Sequence, residues 1–123
     1  PSSFQASLET LSDFKIDGRK GVVCGDMLEL GDQSEHWHRS LGSWIAKFSF
    51  DFVIAAGPWS RYLVEEAVKQ GFHPGRIHHV TDSVEAGRLC SKIVKPGDCV
   101  LIKGSRSTQM ERVFECFMAC STP

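Results

Sequence analysis

The sequence lacks the features that mark membrane, secreted and nucleic-acid-binding proteins. No apolar run approaches the ~18 residues of a membrane span, and residues 1–20 lack the charged-then-apolar layout of a signal peptide. The formal net charge is -1, without the basic excess expected of a sequence-independent nucleic-acid binder. We therefore expect a protein with no membrane span and no nucleic-acid partner, and the cytoplasm is its default location.

The cysteines do not form a framework of their own. They number 5, and no pair has the Cys-x-x-Cys spacing of a zinc knuckle, so neither a disulfide set nor a zinc site is predicted. Cys24 and Cys99 lie within apolar, strand-like runs, where cysteine behaves as a small hydrophobic side chain. We expect both thiols to be buried and reduced.

Several motifs of cofactor and catalytic sites are also missing. No GxGxxG follows a predicted strand and no GxxxxGK[ST] occurs, so this chain has neither a dinucleotide fingerprint nor a P-loop. GxSxG and HExxH are absent as well. His36 and His38 are two apart on a predicted helix, and His78 and His79 are adjacent on a predicted strand, so each pair is poorly placed for a metal. No metal site and no catalytic residue is predicted.

What the sequence does contain is a regular alternation of strand-like and helix-like segments. An initial helix is followed by four strand–helix units. The strands are predicted within residues 19–27, 51–57, 76–82 and 99–104, and the helices within 1–14, 31–48, 58–71, 82–94 and 107–120. Asp32 is the expected N-cap of the second helix, and Asp82 or Ser83 that of the fourth.

This alternation predicts the fold class. Unbroken apolar strands that alternate with helices form parallel sheets covered on both faces. With 123 residues, one domain's worth, and no linker or repeat, residues 1–123 are predicted to form a single α/β domain. We expect a three-layer, Rossmann-like domain with a mostly parallel sheet and helices on both faces.

The turns after the strands are the candidate ligand sites, because ligands of such sheets bind beyond the carboxyl ends of the strands, where strand order reverses. Four turns qualify, and two of them carry polar chemistry beyond helix capping. These are the first, at residues 25–27, and the last, at residues 103–106. The sequence alone does not give the strand order.

The last turn has the residues of an anion site. Gly104 allows the backbone to approach a ligand closely, and the start of the following helix favours an anion. Lys103 and Arg106 add positive charge, and an arginine can bind a carboxylate or a phosphate through two parallel bonds. Ser105 can donate a hydrogen bond. The alternative is a capped, solvated helix start with surface cations.

The first turn combines an acid with apolar residues. Asp26 lies where a strand end would direct it into the crevice, where it could recognise an amine or help to hold a metal, or could simply be solvated. Met27, Leu28 and Leu30 are apolar, and at least some of them are expected to fold back onto the core.

Two segments together resemble a known family. "CGDMLELGDQSEHWHRSLG" and "LIKGSRSTQMERV" are similar to the C-terminal domain of the Mur ligases, in the branch that joins D-alanyl-D-alanine to UDP-N-acetylmuramoyl-tripeptide in peptidoglycan synthesis. The likeness extends from Pro1 to about Phe117. It implies an ATP-dependent amide-bond ligase with three domains: a UDP-binding domain, a central domain that binds ATP and Mg, and a C-terminal domain that brings the incoming amine.

The resemblance also implies which residues form the substrate site. The residues that it assigns to the neighbourhood of the dipeptide are Asp26, Met27, Lys103, Gly104, Ser105 and Arg106. In that assignment Arg106 and the helix amides are the partners of the dipeptide carboxylate. His38 matches a family position and is a further candidate, with a structural role equally open.

The chain departs from the family in its extent. It begins at the proline of the family's Asn-Pro motif, so we expect an excised domain that lacks the UDP-binding and ATPase domains and is inactive by itself. Two alternatives remain: the C-terminal domain of a sibling Mur ligase or a related amide ligase, and a stand-alone binding module without catalysis.

Overall fold

The computed structural model describes residues 2–27 and 30–103. Helices and strands alternate as predicted, while the helix predicted within residues 107–120 lies outside the described residues. The helices are α1 (Ser2–Asp13), α2 (Ser34–Phe48), α3 (Ser60–Lys69) and α4 (Ser83–Ile93), and the strands are β1 (Lys20–Gly25), β2 (Phe52–Ala56), β3 (Ile77–Val80) and β4 (Cys99–Lys103). Single turns of 3-10 helix precede α2 and β3.

The four strands form one sheet in the order β3-β2-β1-β4, and every pairing between them is parallel. Val23 in the middle of β1 pairs with Ile54 on one side and with Ile102 on the other. The predicted α/β class and the largely parallel sheet are thus confirmed over the described residues.

Helices cover both faces of the sheet, as predicted. Successive side chains of a strand point to opposite faces. Val22 and Cys24 accordingly belong to the core under α1, α2 and α3, whereas Val23 belongs to a second core under α4. Because both faces of β1 and β2 are buried, these strands consist almost entirely of apolar residues.

The helices α2 and α3 approach each other closely at Gly42. A β-carbon at this position would lie 2.2 Å from the carbonyl oxygen of Leu63. A glycine within a helix lowers helix propensity, by about 1 kcal/mol relative to alanine. Here it allows the backbones of the two helices to come together over the face of the sheet that α1, α2 and α3 cover, which we call the α1–α3 face.

The two predicted helix caps have different outcomes. Asp82 is the N-cap of α4, as expected, and its carboxylate accepts a hydrogen bond from the amide of Glu85 at 2.9 Å. The prediction for Asp32 is wrong. Residues 31–33 form a 3-10 turn that leads directly into α2, so Gln33 occupies the N-cap position and makes no side-chain capping bond.

The cysteine predictions are partly confirmed. Cys24 is fully buried, and burial together with the nearby Asp26 carboxylate raises the pKa of its thiol to about 12. It is therefore protonated at neutral pH. Cys99 is also a free thiol, but it lies at the start of β4 and remains partly exposed, contrary to expectation.

An ion pair ties the amino end of β1 to the turn before β4. The Asp98 carboxylate accepts hydrogen bonds from Nε and Nη2 of Arg19 at 3.2 and 2.7 Å, and from the amide of Lys95 at 2.8 Å. Arg19 also donates to the carbonyl of Ile93 at 2.7 Å. This connection lies at the amino ends of the strands, whereas the candidate site lies at their carboxyl ends.

None of the helices in residues 2–27 and 30–103 combines the length and the apolarity that crossing a bilayer requires.

Candidate functional site

The strand order reverses between β1 and β4, and we call this place the switch point. The chain runs from β1 outward through β2 to β3, and then crosses back so that β4 pairs with the other side of β1. Cys24 near the end of β1 is paired with Lys103 at the end of β4. The first and last turns therefore leave the sheet from neighbouring strands, at the kind of position where open α/β sheets bind ligands.

Four of the candidate residues fall within the described part of the chain: Asp26, Met27, His38 and Lys103. Asp26, Met27 and His38 are gathered at the end of β1, and Lys103 is the last residue of the adjacent strand, partly exposed. Gly104, Ser105 and Arg106 lie outside the described residues. For all seven a direct role in substrate binding stays a prediction.

Asp26 is buried, with only 3% of its surface exposed, and its carboxylate is bonded to the start of α3. It accepts hydrogen bonds from the amides of Trp59 and Ser60, at 3.1 and 2.8 Å, and from the Ser60 hydroxyl at 2.8 Å. The first amides of a helix have no partners within the helix. Asp26 therefore caps α3 from a neighbouring strand and fixes the β1 turn to the β2–α3 turn.

Close packing around Asp26 explains the glycine in the β2–α3 turn. Gly57 has φ +111°, a conformation that favours glycine. A β-carbon there would lie 2.5 Å from the carboxyl carbon of Asp26. The turn thus has room for the capping carboxylate only because residue 57 has no side chain.

His38 is completely buried and hydrogen-bonded through both ring nitrogens. Its Nε2 is 3.1 Å from the amide nitrogen of Met27, and its Nδ1 is 2.6 Å from the carbonyl oxygen of Ser34. Because an amide can only donate, Nε2 carries no proton, and Nδ1–H donates to the Ser34 carbonyl. The imidazole is consequently neutral and holds the backbone at the end of the β1 strand.

Met27 folds back onto the α1–α3 core, as its apolar side chain suggested. Its backbone amide is the group that His38 binds, while its side chain contacts the apolar cluster. The residue is thus held on both sides, which gives the first turn a defined path out of the sheet.

A second surface at the same edge of the sheet was not identified from the sequence. We call it the Trp59 shelf; it borders a cavity of about 450 Å³ and is formed by Pro58, Trp59, Arg61, Tyr62 and His79. Residues 57–59 are one of the four turns at strand ends, but they contain no polar motif. The signal that could have indicated a site is the Trp-Ser-Arg-Tyr sequence directly after a buried strand.

The Trp59 shelf combines aromatic rings with the cationic side chain of Arg61. Trp59 is 38% exposed, and its ring centroid is 5.8 Å from that of Tyr62. The Arg61 guanidinium lies 4.8 Å from the centre of the Tyr62 ring and donates to its hydroxyl at 2.9 Å. His79 is bonded to the Gly57 carbonyl at 2.7 Å. Such a surface suits a small ligand with an anionic group and an apolar part.

Another cavity, of about 320 Å³, lies between α1 and the beginning of β4. It is lined mainly by apolar groups, including Leu11, Phe14, Cys99 and Leu101. The cavity lies near the amino end of β4, whereas the predicted site residues lie at the carboxyl ends of the strands. It also offers few polar groups to a substrate.

The described residues do not fit a magnesium ion. Within residues 2–27 and 30–103, no three His, Cys, Asp or Glu side chains are grouped so that they could hold a metal. Asp26, the acid nearest the switch point, has both carboxylate oxygens engaged by α3. No step of the chemistry is therefore assigned to a metal bound by these residues.

Comparison with known proteins identifies relatives of this arrangement. The model of the family "Mur ligase, glutamate ligase domain" matches residues 1–106. The UDP-N-acetylmuramoyl-tripeptide–D-alanyl-D-alanine ligase of Bacillus subtilis is 31% identical over 92% of this chain, and that of Rickettsia prowazekii is 28% identical over 94%. The chain spans 24% of the length of each.

Solved structures agree with the sequence relatives. The MurF ligase of Thermotoga maritima, solved with ADP, has a TM-score of 0.72 and 30% identity to this chain, and MurF of Acinetobacter baumannii has 0.81 and 29%. Each comparison covers 97% of this chain and 26% of the other. The residues that the family model matches, 1–106, include the switch point between β1 and β4 and all described helices. The chain therefore belongs to the Mur ligase family.

Proposed function

We propose that this chain is the acceptor-binding domain of a UDP-N-acetylmuramoyl-tripeptide–D-alanyl-D-alanine ligase, an ATP-dependent enzyme of peptidoglycan synthesis. The relatives with this name and the arrangement at the switch point support the proposal. The observation that carries it is the pairing of β1 with β4, which brings the turn with Asp26 and Met27 beside Lys103. The domain is expected to bind D-alanyl-D-alanine and to be inactive without the rest of the ligase.

The acceptor dipeptide has two features that the site must recognise, an amine that becomes the nucleophile and a terminal carboxylate. Lys103 supplies a cation at the end of β4, and Ser105 and Arg106 follow it in the sequence. Two charge-assisted bonds from an arginine suit a carboxylate. On the other side of β1, Arg61 on the Trp59 shelf offers a second cation beside apolar rings that suit the alanine methyl groups.

The remaining chemistry is assigned to parts of the ligase outside this chain. In the proposed reaction ATP activates the tripeptide carboxylate as an acyl phosphate, the dipeptide amine attacks it, and phosphate leaves. ATP, Mg²⁺ and the UDP-linked tripeptide would be held mainly by those other parts. This domain orients the amine and closes over the acyl phosphate, which excludes water from a reactive intermediate. With ATP and a nucleotide-linked precursor as substrates, the proposed location is the cytoplasm.

A second acceptor deserves a direct test because the matching family is described as the glutamate ligase domain. A sibling ligase would present a similar sheet edge to glutamate, which has two carboxylates. Two cations on opposite sides of β1, at Lys103 and Arg61, are compatible with such a ligand. Glutamate is therefore the competing acceptor in the experiment.

The experiment is an amide-resolved NMR titration of this chain with D-alanyl-D-alanine, with L-alanyl-L-alanine and D-glutamate as controls. Shifts of residues 25–27, 57–62 and 103 only with the D,D dipeptide would support the proposal. The Lys103→Ala variant should raise the Kd for D-alanyl-D-alanine about tenfold, because it loses roughly one charge-assisted hydrogen bond. Lys92→Ala, an exposed lysine at the end of α4, should leave it unchanged.

Shifts with D-glutamate instead would reassign the acceptor. If no ligand causes shifts, the same substrates are tested for turnover with the full-length ligase. Turnover that depends on D-alanyl-D-alanine would show that the pocket needs the other domains, and its absence would refute the proposed function.

A further inference from the structure

The buried side chain of His38 connects the first turn with the Trp59 shelf. Besides its hydrogen bonds to Met27 and Ser34, the His38 ring lies against Trp59, with ring centroids 6.3 Å apart and an interplanar angle of 23°. His38 thus contacts the backbone at the end of β1, the start of its own helix and the aromatic ring of the shelf. Asp26 bridges the same two turns independently, from β1 to the first amides of α3.

We propose that His38 is a positioning residue: as the neutral tautomer protonated on Nδ1, it sets the Met27 backbone and the Trp59 ring relative to each other. Its effect on acceptor binding rests on the proposed function. Its effect on the geometry of the two turns does not.

The pattern of bonds requires an aromatic ring with a donor at one position and an acceptor at the other. Nδ1–H reaches the carbonyl of Ser34, four residues earlier on α2, and this bond fixes the plane of the ring. The fixed plane directs the Nε2 lone pair at the Met27 amide and the ring face at Trp59. An apolar residue of the same size would fill the space but would leave the Met27 amide without this acceptor.

Two substitutions separate positioning from mere filling of the core. His38→Gln can place a carbonyl oxygen at the position of Nε2, which keeps the acceptor for Met27 and gives up the donor to Ser34. His38→Asn can place an amide NH₂ at the position of Nδ1, which keeps the donor to Ser34 and gives up the acceptor. Both remove the ring and have similar polarity, so each is a matched control for the other.

The first measurement needs no variant. The ring nitrogens of His38 in the native chain are observed by ¹⁵N NMR at neutral pH. The expected spectrum is that of a neutral ring protonated on Nδ1 alone. A ring protonated on Nε2, or on both nitrogens, would overturn the proposal because it could not accept from Met27.

The second measurement is hydrogen exchange of the Met27 amide in the native chain and in both variants. We expect exchange about tenfold faster in His38→Asn, the factor that loss of about one hydrogen bond implies, and near the native rate in His38→Gln. Equal exchange in the two variants would identify His38 as core filling only.

The third measurement is the steady-state kinetics of the full-length ligase. His38→Asn should raise KM for D-alanyl-D-alanine about tenfold and leave KM for ATP unchanged, and His38→Gln should restore the native value. Equal KM values for the acceptor in both variants would overturn the role in acceptor binding. If the native enzyme shows no turnover that depends on the acceptor, the proposed function fails, whereas the tautomer and the Met27 exchange still test the positioning role.

Discussion

At the scale of single residues, the buried polar side chains of this domain connect segments that are distant in the sequence. Asp26, His38 and Asp98 are all buried, and each accepts a hydrogen bond from a backbone amide. A polar group can be buried without a large cost only if it is hydrogen-bonded. These three side chains therefore specify particular neighbours, whereas the apolar residues around them specify mainly size and shape.

The pairing of Asp98 with Arg19 predicts a stability that depends on acid pH. Burial alone would raise the pKa of Asp98, but the hydrogen bonds from Arg19 and the Lys95 amide lower it below its usual value. Because folding lowers this pKa, the stabilisation is complete above the pKa of an unfolded aspartate, about 3.9. It is lost as the pH falls through the lower folded-state value.

We expect Asp98→Asn to lower the free energy of unfolding at pH 7 by about 1–2 kcal/mol, a modest figure because Arg19 is partly exposed. Urea titrations of the native chain and the variant measure this difference, which should shrink as the pH falls below about 4. Asp17→Asn, at an exposed position, is the control and should have little effect at either pH. A difference that stays constant down to pH 2 would contradict the ionic origin of the effect.

The sequence separation between these residues and their partners explains which of their roles could be predicted from the sequence. The pattern around residues 25–27 places Asp26 and Met27 at the carboxyl end of β1, as the structure does, while their role in binding stays a prediction. It cannot show that Asp26 caps α3, because the partner amides are more than thirty residues further along the chain. For the same reason it leaves the role of His38 open between structure and function.

At the scale of secondary-structure elements, the helix termini and one helix–helix contact decide how the turns are held. A local cap is readable from sequence, as with Asp82 and α4. The cap of α3 comes from β1 and is not, and the 3-10 turn before α2 displaces Asp32 from the position that its residue type predicted. Element boundaries thus follow local patterns only where no neighbouring segment supplies a better partner.

The close contact of α2 with α3 predicts an unfavourable effect of a substitution that is favourable in an isolated helix. Gly42→Ala raises helix propensity by about 1 kcal/mol, yet its β-carbon would lie 2.2 Å from the Leu63 carbonyl oxygen. The helices must separate, and we expect a net loss of about 1–3 kcal/mol of stability.

Thermal and urea unfolding measure the effect, with Ser43→Ala on the same helix as the matched control. That control gains helix propensity at a half-buried position and should be neutral or slightly stabilising. If Gly42→Ala proved as stable as Ser43→Ala, the described distance between the two helices would be wrong.

At the scale of the whole molecule, the fold class follows from the alternation of apolar strands with amphipathic helices, and the sequence predicted it correctly. The strand order does not follow. All four strands pair in parallel, and no local feature of β4 indicates that it pairs with β1 rather than with β3. The choice depends on which helices cover which face, a property of the assembled domain.

The strand order predicts a gradient of local stability across the sheet. Both β1 and β2 have partner strands on either side, while β3 ends the sheet among the described residues. We expect the backbone amides of Val23 and Ile54 to exchange only on global unfolding. Those of β3 should exchange through local opening that is lower in free energy by at least about 1 kcal/mol.

Hydrogen exchange of the native chain at increasing denaturant concentration measures both sets of amides. The free energies of exchange of the β1 and β2 amides should follow the free energy of global unfolding. Those of the β3 amides should lie below it. Equal protection of β3 and β1 would show that the sheet opens as one unit and would contradict the gradient.

The crossover that brings β4 back to β1 has a consequence for biosynthesis. A ribosome makes this chain from its amino terminus, so β1, β2 and β3 emerge long before Cys99–Lys103. Until then the central strand of the finished sheet is an edge, with unpaired peptide groups and apolar side chains of the kind that chaperones and aggregating partners recognise. A chain stopped before residue 99 lacks this closing strand together with Lys103, so under the proposed function the sheet and the acceptor site would be completed by the same segment of the chain.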